Sequence, residues 1–209
     1  MTVIALYGPA GSGKSTVARL VADRLGFEVL DTGAMYRAIA FAVLGRDADP
    51  SDAAVATAAA EQVQVELRDG RVFVDGADAT AAVRGPEVSG AVSVVAAHPG
   101  VRTALRRLQR DWMIQHGNGV VEGRDIGTVV FPDAEVKVYL TASPEVRARR
   151  RAGDGQLDVE QAARNIEERD RLDSTREDSP LVAADDAVHI DTSELAIDEV
   201  VDAIVGLLR

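Results

Sequence analysis

The residues with the most chemistry to offer stand near the start of the chain. Gly8-Pro9-Ala10-Gly11-Ser12-Gly13-Lys14-Ser15 has the spacing G-x-x-x-x-G-K-[ST]. Glycines let successive backbone N–H groups turn inward around a phosphate with no Cβ in the way. A helix opening at Lys14 adds the partial positive charge of its N-terminus to the same pocket. Lys14 can reach outer phosphates, the Ser15 hydroxyl can ligate Mg²⁺, and Thr16 continues that first turn. The pattern predicts that residues 8–16 bind ATP with Mg²⁺. Only two of the 23 cations are lysines, Lys14 and Lys137, so a lysine at the motif position is unlike the rest of the chain.

Such a metal recruits an acid from the end of a neighbouring strand. Glu122, which ends Val120-Val-Glu122, is the candidate, with a salt bridge to an arginine as its other reading. Phosphoryl transfer needs more positive charge than one loop supplies. Arg169, Asp173 and Arg176 share one face of a helix at spacings of four and three. That spacing fits a solvated ion-pair ladder or a phosphate clamp. Arg147 and Arg151, one turn apart, either flank ATP or face solvent. Asp31-Thr32-Gly-Ala-Met-Tyr-Arg37 and Gly123-Arg124-Asp125 each follow a strand. There Thr32 can cap a helix, Arg37 and Arg124 can hold phosphates bidentately, and Asp125 can accept a hydrogen bond.

The elements that must position these residues follow from periodicity. The apolar run 3–7 stopped by Gly8 reads as a central parallel strand, and 14–25 has the helical period of an amphipathic helix. Short strands are expected at 27–30, 120–122, 135–140 and 188–190. Helices are expected over 33–44, 52–62, from Pro99 to about 116, over 144–152, from 158 to about 174, and over 197–208, with Thr192 and Ser193 as caps for the last. Alternation around Asp69-Gly70 predicts a hairpin. Five strands separated by helices imply an α/β, P-loop NTPase-type fold: a doubly wound five-stranded parallel sheet with helices on both faces. A small antiparallel β insert and a short helical lid complete it. The expected division is a core domain of 1–61, 96–152 and 175–209, an insert of 62–95, and a lid of 153–174 that hinges at Gly153-Asp154-Gly155.

Bulk properties bound the reading. The chain has 209 residues, 46% hydrophobic and 27% charged, with no cysteine and a formal charge of −11. Length and composition suit one globular domain with insertions. The acidity argues against nucleic acid as a partner. No apolar run approaches the ~20 residues that span a bilayer, and no leader pattern opens the chain, so no membrane association and a cytoplasmic location are expected. Monomer is the default expectation. His98, His116 and His189 lack metal-ligand spacing.

With these motifs in view, the chain resembles the bacterial cytidylate kinases along nearly its whole length. The resemblance is carried by residues 8–15, Leu30 to Arg37, Val92-Ser93 through His98-Pro-Gly-Val-Arg102, Gln109-Arg110, Glu122 to Ala134, and Arg169 to Leu181. The Gly-Arg-Asp-Ile-Gly-Thr-Val-Val-Phe-Pro stretch and the Asp-Ser-Thr-Arg ending are the more specific; the phosphate loop is generic to NTPases. The resemblance implies a nucleoside monophosphate kinase with core, lid and enlarged nucleotide-binding insert, transferring the ATP γ-phosphoryl group to CMP or dCMP. It implies that Thr32, Arg37, Arg124 and Arg176 hold the acceptor phosphate. Ser93, Arg102 and Asp125 would read cytosine, and Arg169 and Asp173 would contact sugar or phosphates. The family motif often has Ser at Thr32 and Asp at Glu122; both changes keep the functional group. A kinase for UMP, AMP or a small hydroxy acid remains open from the residues alone. So do a nucleotide-operated switch and a binding module without chemistry, although no Asn-Lys-x-Asp motif supports a guanine switch.

Overall fold

The computed structural model describes residues 1–153 and 158–208. Its elements, in chain order, begin with β1 (Val3–Tyr7), α1 (Lys14–Leu25), β2 (Glu28–Asp31), α2 (Thr32–Leu44) and α3 (Ala53–Gln62). The middle holds β3 (Val65–Arg68), β4 (Arg71–Val74), β5 (Ala77–Asp78), α4 (Pro86–Ala97) and α5 (Pro99–His116). The last third holds β6 (Gly119–Gly123), β7 (Val136–Thr141), α6 (Pro144–Gly153), α7 (Val159–Thr175), β8 (Val188–Asp191) and α8 (Ile197–Val205). Asp154 and Gly155 of the expected hinge lie outside the described residues. The chain divides into two compact units, Met1–Leu30 with Met113–Arg209, and Asp31–Trp112.

The first unit is organised by a five-stranded sheet in the order β2-β6-β1-β7-β8. The β1–β6, β1–β7 and β7–β8 pairs are parallel. β1 is central and entirely buried, which its unbroken apolar run requires. Ile4, Leu6, Val120, Val136, Val138 and Leu140 form one core with Val17, Ala18, Val21 and Ala22 of α1 and Val200, Val201 and Ile204 of α8. Sheet-period and helix-period residues thus meet in a single apolar layer. The chain runs from β1 to β2 on one side of it, returns as β6 beside β1, and then passes to β7 on the opposite side. That switch of direction opens a crevice at the carboxyl ends of the strands, where Gly8 follows β1 and Arg124 follows β6.

The second unit contains α2, α3, α4 and the three-stranded antiparallel sheet β3-β4-β5. The Asp69-Gly70 hairpin forms as expected, with φ of 53° and 69° at the two turn residues. Asp75-Gly76 repeats the device with φ of 49° and 79° and adds the short β5, a strand the sequence reading did not include. The sequence reading placed no helix within the 62–95 insert, whereas Pro86–Ala97 is one. Its valines favour a strand by composition, but Val88, Ala91, Val92, Val95 and Ala96 are buried at helical spacing, and Pro86 sits at the helix start.

Two caps differ from expectation. The N-cap of α2 is Asp31, whose Oδ1 accepts the Ala34 N–H at 2.8 Å, so Thr32 is already helical and buried. An aspartate one residue earlier out-competes the threonine because its carboxylate also answers the helix dipole. At α8 the N-cap is Ala196, and Glu199 reaches back to its N–H at 2.8 Å. Thr192 is engaged elsewhere, as described below, and Ser193 Oγ accepts the Ser143 N–H at 2.8 Å.

Candidate active site

The phosphate loop forms between β1 and α1. Gly8 has φ of 145°, and a Cβ there would lie 2.1 Å from Leu140 O on the neighbouring strand. Gly13 precedes α1 with φ of 88°, a conformation that side chains resist. Lys14 therefore begins its helix buried, with Nζ donating to Pro9 O at 2.7 Å and Ser12 Oγ at 3.3 Å. Burial first, and then the Arg124 guanidinium, lower its pKa from 10.5 to about 7, while Glu122 and Asp170 act the other way.

Ser15 Oγ donates to Glu122 Oε2 at 2.8 Å. A hydroxyl and a carboxylate oxygen side by side at a strand end are hard oxygen donors, and they fit Mg²⁺ held jointly with substrate phosphates. Among the described residues no group of three or more His, Cys, Asp or Glu could cage a metal alone.

An arginine cluster acts electrostatically on Lys14. Asp173 of α7 accepts Arg124 Nε at 2.8 Å through Oδ2 and Arg176 Nη1 at 3.2 Å through Oδ1. Arg176 also donates through Nε to Ser179 O at 2.7 Å. The Asp173 and Arg176 side chains are 8% and 6% exposed, so their spacing is no solvated ladder. Burial pushes the Asp173 carboxyl up, but Arg124, Arg176 and Arg169 together outweigh it and hold it below the ordinary 3.8. Arg169 acts electrostatically on both Asp173 and Lys14. The first unit thereby gathers Lys14, Ser15, Glu122, Arg124, Arg169, Asp173 and Arg176.

Arg124 and Asp125 are presented by a π-helical turn, Ile126–Val130. Its wide bonds run from Val130 N to Asp125 O at 3.2 Å and from Phe131 N to Ile126 O at 2.8 Å. Such turns need a local reason to form. Here Gly127 meets the Tyr7 ring: a Cβ at 127 would lie 2.6 Å from Tyr7 Cε1. Asp125 is buried at the start of that turn.

Arg147 lies against the phosphate loop, donating through Nη1 to Ala10 O at 3.0 Å and through Nε to Ala142 O at 3.2 Å. Arg151 is half-buried on the same helix. Arg150, given no role from sequence, donates to Thr192 Oγ1 at 2.9 Å and Thr192 O at 2.8 Å. Thr192 in turn donates to Ser12 O at 3.2 Å. This brace holds the loop from the far edge of the sheet. No spacing rule links positions 12, 150 and 192; only the β7–β8 pairing does.

In the second unit, Asp31 Oδ2 accepts Arg37 Nη2 at 3.1 Å, and Arg37 Nε is buried with no hydrogen-bond partner. Thr32 is buried beside them in sequence, at the first position of α2. Arg102 is buried on α5, donates to Ala96 O at 3.1 Å, and stands over the Tyr36 ring at 5.3 Å. Ser93 is half-buried on α4. No described helix is long and apolar enough to cross a membrane.

The model of the cytidylate kinase family matches residues 4–209. The chain belongs to that family. It is similar to a cytidylate kinase from Pelotomaculum thermopropionicum, 50% identical over 97% of this chain and 94% of that protein. One from Mycobacterium leprae is 48% identical over 99% and 95%. A bifunctional pantoate ligase/cytidylate kinase from Synechococcus sp. WH7803 is 51% identical over 99% of this chain, which spans only 44% of that relative's length. Solved structures share the fold at low identity. An uncharacterised protein from Eubacterium ventriosum matches with a TM-score of 0.59 at 14% identity, covering 98% of this chain and 96% of that one. A sugar kinase from Janibacter sp. HTCC2649 matches with 0.52 at 15%, covering 100% and 94%. A cytidylate kinase family member is thus built here on a kinase-type α/β fold.

Proposed function

We propose that this chain transfers the γ-phosphoryl group of ATP to CMP and dCMP, giving ADP with CDP or dCDP. The observation that carries the reading is the Arg124–Asp173–Arg176 bridge beside Lys14, within a member of the cytidylate kinase family. Two guanidinium groups held by one buried carboxylate are fixed in place before any phosphate arrives, which is what electrostatic stabilisation of a transferring phosphoryl group requires.

In the proposed mechanism, Gly8 to Thr16 cradle the donor phosphates, with Arg147 and Arg151 beside them. Ser15 and Glu122 would hold Mg²⁺, which supplies charge neutralisation between donor phosphates. An oxygen of the acceptor phosphate attacks the γ-phosphorus in line and the bond to the ADP oxygen breaks. The acceptor phosphate is already anionic near neutral pH, so no side-chain base is needed. Lys14, Arg124, Arg169 and Arg176 stabilise the equatorial oxygens. In the second unit, Thr32 and Arg37 hold acceptor phosphate, and the free Arg37 Nε supports that role. Asp125 accepts the cytosine N4 amino hydrogen, Arg102 and Ser93 complete base reading, and Asp173 reaches the sugar or phosphate. The 62–95 insert carries nucleotide recognition and 153–174 acts as lid. A cytoplasmic setting and a monomeric state belong to the same proposal.

The test is ADP release from Mg·ATP with CMP, dCMP, UMP, AMP and GMP as acceptors. CMP and dCMP are expected to be turned over and UMP disfavoured, because its O4 faces the Asp125 carboxylate acceptor to acceptor. Equal turnover of UMP and CMP would remove Asp125 from base reading.

A further inference from the structure

One ion pair grips Ala10 of the phosphate loop from both sides. Asp170 of α7 accepts the Ala10 amide N–H through Oδ1 at 3.0 Å. Arg147 of α6 donates to Ala10 O at 3.0 Å. The two side chains, Arg147 13% and Asp170 19% exposed, pair with each other through Asp170 Oδ2. All three residues belong to the first unit.

Backbone N–H groups are the means by which such a loop attracts phosphate. Here one of them is taken by a carboxylate. Asp170 also acts on Lys14 in the direction a phosphate would, favouring the ammonium. A fixed anion at this place and a polyphosphate repel each other, and both want the same donors. Arg147 is meanwhile neutralised by Asp170 and tied to the loop rather than free to face a nucleotide.

We propose that Asp170 is an intramolecular competitor of the donor's phosphates for the phosphate loop. It fastens α7 to the loop, yields as the triphosphate enters, and releases Arg147 to the donor as it leaves. The inference rests on the reading of Gly8 to Thr16 as the donor cradle. The alternative is a prop that shapes the loop for ATP, and the two roles move affinity in opposite directions.

The experiment is calorimetric titration of the full chain with Mg·ATP and no acceptor. Asp170→Asn keeps an oxygen for the Ala10 N–H and removes the charge. A competitor predicts binding about tenfold tighter than wild type, the worth of one charge-assisted hydrogen bond no longer displaced. Asp170→Ser, with a smaller polar side chain, is expected to tighten binding as well. It should also speed hydrogen exchange at the Ala10 amide in the nucleotide-free protein, with protection returning on Mg·ATP. Unchanged or weaker ATP binding in these variants would overturn the proposal. Lys14→Met separates the two readings. If it loses ATP while Asp170→Asn fails to gain, only the competitor idea falls; if it binds ATP like wild type, the cradle reading itself falls.

Discussion

Ser15 donates its hydroxyl hydrogen to Glu122 Oε2 at 2.8 Å, joining the first turn of α1 to the end of β6 across 107 residues of sequence. The contact depends on the parallel pairing that sets Leu6 opposite Glu122 and Tyr7 opposite Gly123. Strand order therefore decides which acid reaches the phosphate loop.

From that contact we expect Glu122→Gln to raise the Mg²⁺ concentration for half-maximal turnover by about tenfold, the scale seen when an oxygen supporting a metal is altered. The amide preserves shape and hydrogen bonding, so thermal stability is expected to stay close to wild type. Turnover measured across a Mg²⁺ titration at saturating ATP decides it. An unchanged Mg²⁺ requirement would leave Glu122 as a purely structural partner of Ser15.

Lys14 gives a proton-linked prediction. Its pKa of about 7 in the nucleotide-free protein leaves it largely neutral at pH 8. Phosphate anions around Nζ restore the ammonium, so ATP binding at pH 8 is expected to take up about 0.9 proton. Calorimetry in two buffers of different ionisation enthalpy measures this, and Lys14→Met should abolish it. The same shift has a stability sign. The folded state holds fewer protons than the unfolded chain between about pH 7 and 10. The cost of burying the charged ammonium is present in full below pH 7 and is relieved as pH rises.

Asp173 carries a dependence of the same sign, in the acid range. Its folded pKa lies below the ordinary 3.8, so its contribution is present above that value and is lost as pH falls through the folded pKa. Asp173→Asn leaves Arg124 and Arg176 facing each other without a counter-charge, and a loss of about 3 kcal/mol is expected near neutral pH. Denaturant unfolding of both proteins from pH 7 down to 3 should show a gap that is constant above pH 5 and narrows below about pH 4. A gap that does not change with acid would mean that shape, not charge, is what Asp173 supplies.

Much of this was legible in the sequence, for identifiable reasons. The apolar run of β1, the glycine spacing after it and the helical period of α1 are local signals that agree with one another, and the sheet follows from their repetition. The Asp69-Gly70 turn announced its hairpin in the same way. α4 was hidden because valine composition pointed one way and burial period the other. Asp31 displaced Thr32 as cap because two adjacent residues competed for one N–H. The Arg150–Thr192–Ser12 brace and the Arg147–Asp170 grip on Ala10 left no trace in spacing. They join strand ends and helices far apart in the chain, and only the β7–β8 pairing and the packing of α6 with α7 bring them together.

Arg176 tests the central claim, that a preset guanidinium cluster performs the transfer. We expect Arg176→Ala to lower kcat with Mg·ATP and CMP by about 10³-fold, with ATP binding nearly unchanged, because the lost charge acts mainly on the transferring phosphoryl group. The measurement is single-turnover formation of CDP from labelled ATP in wild type and variant at saturating substrates. CDP formation in Arg176→Ala at the wild-type rate would contradict the account.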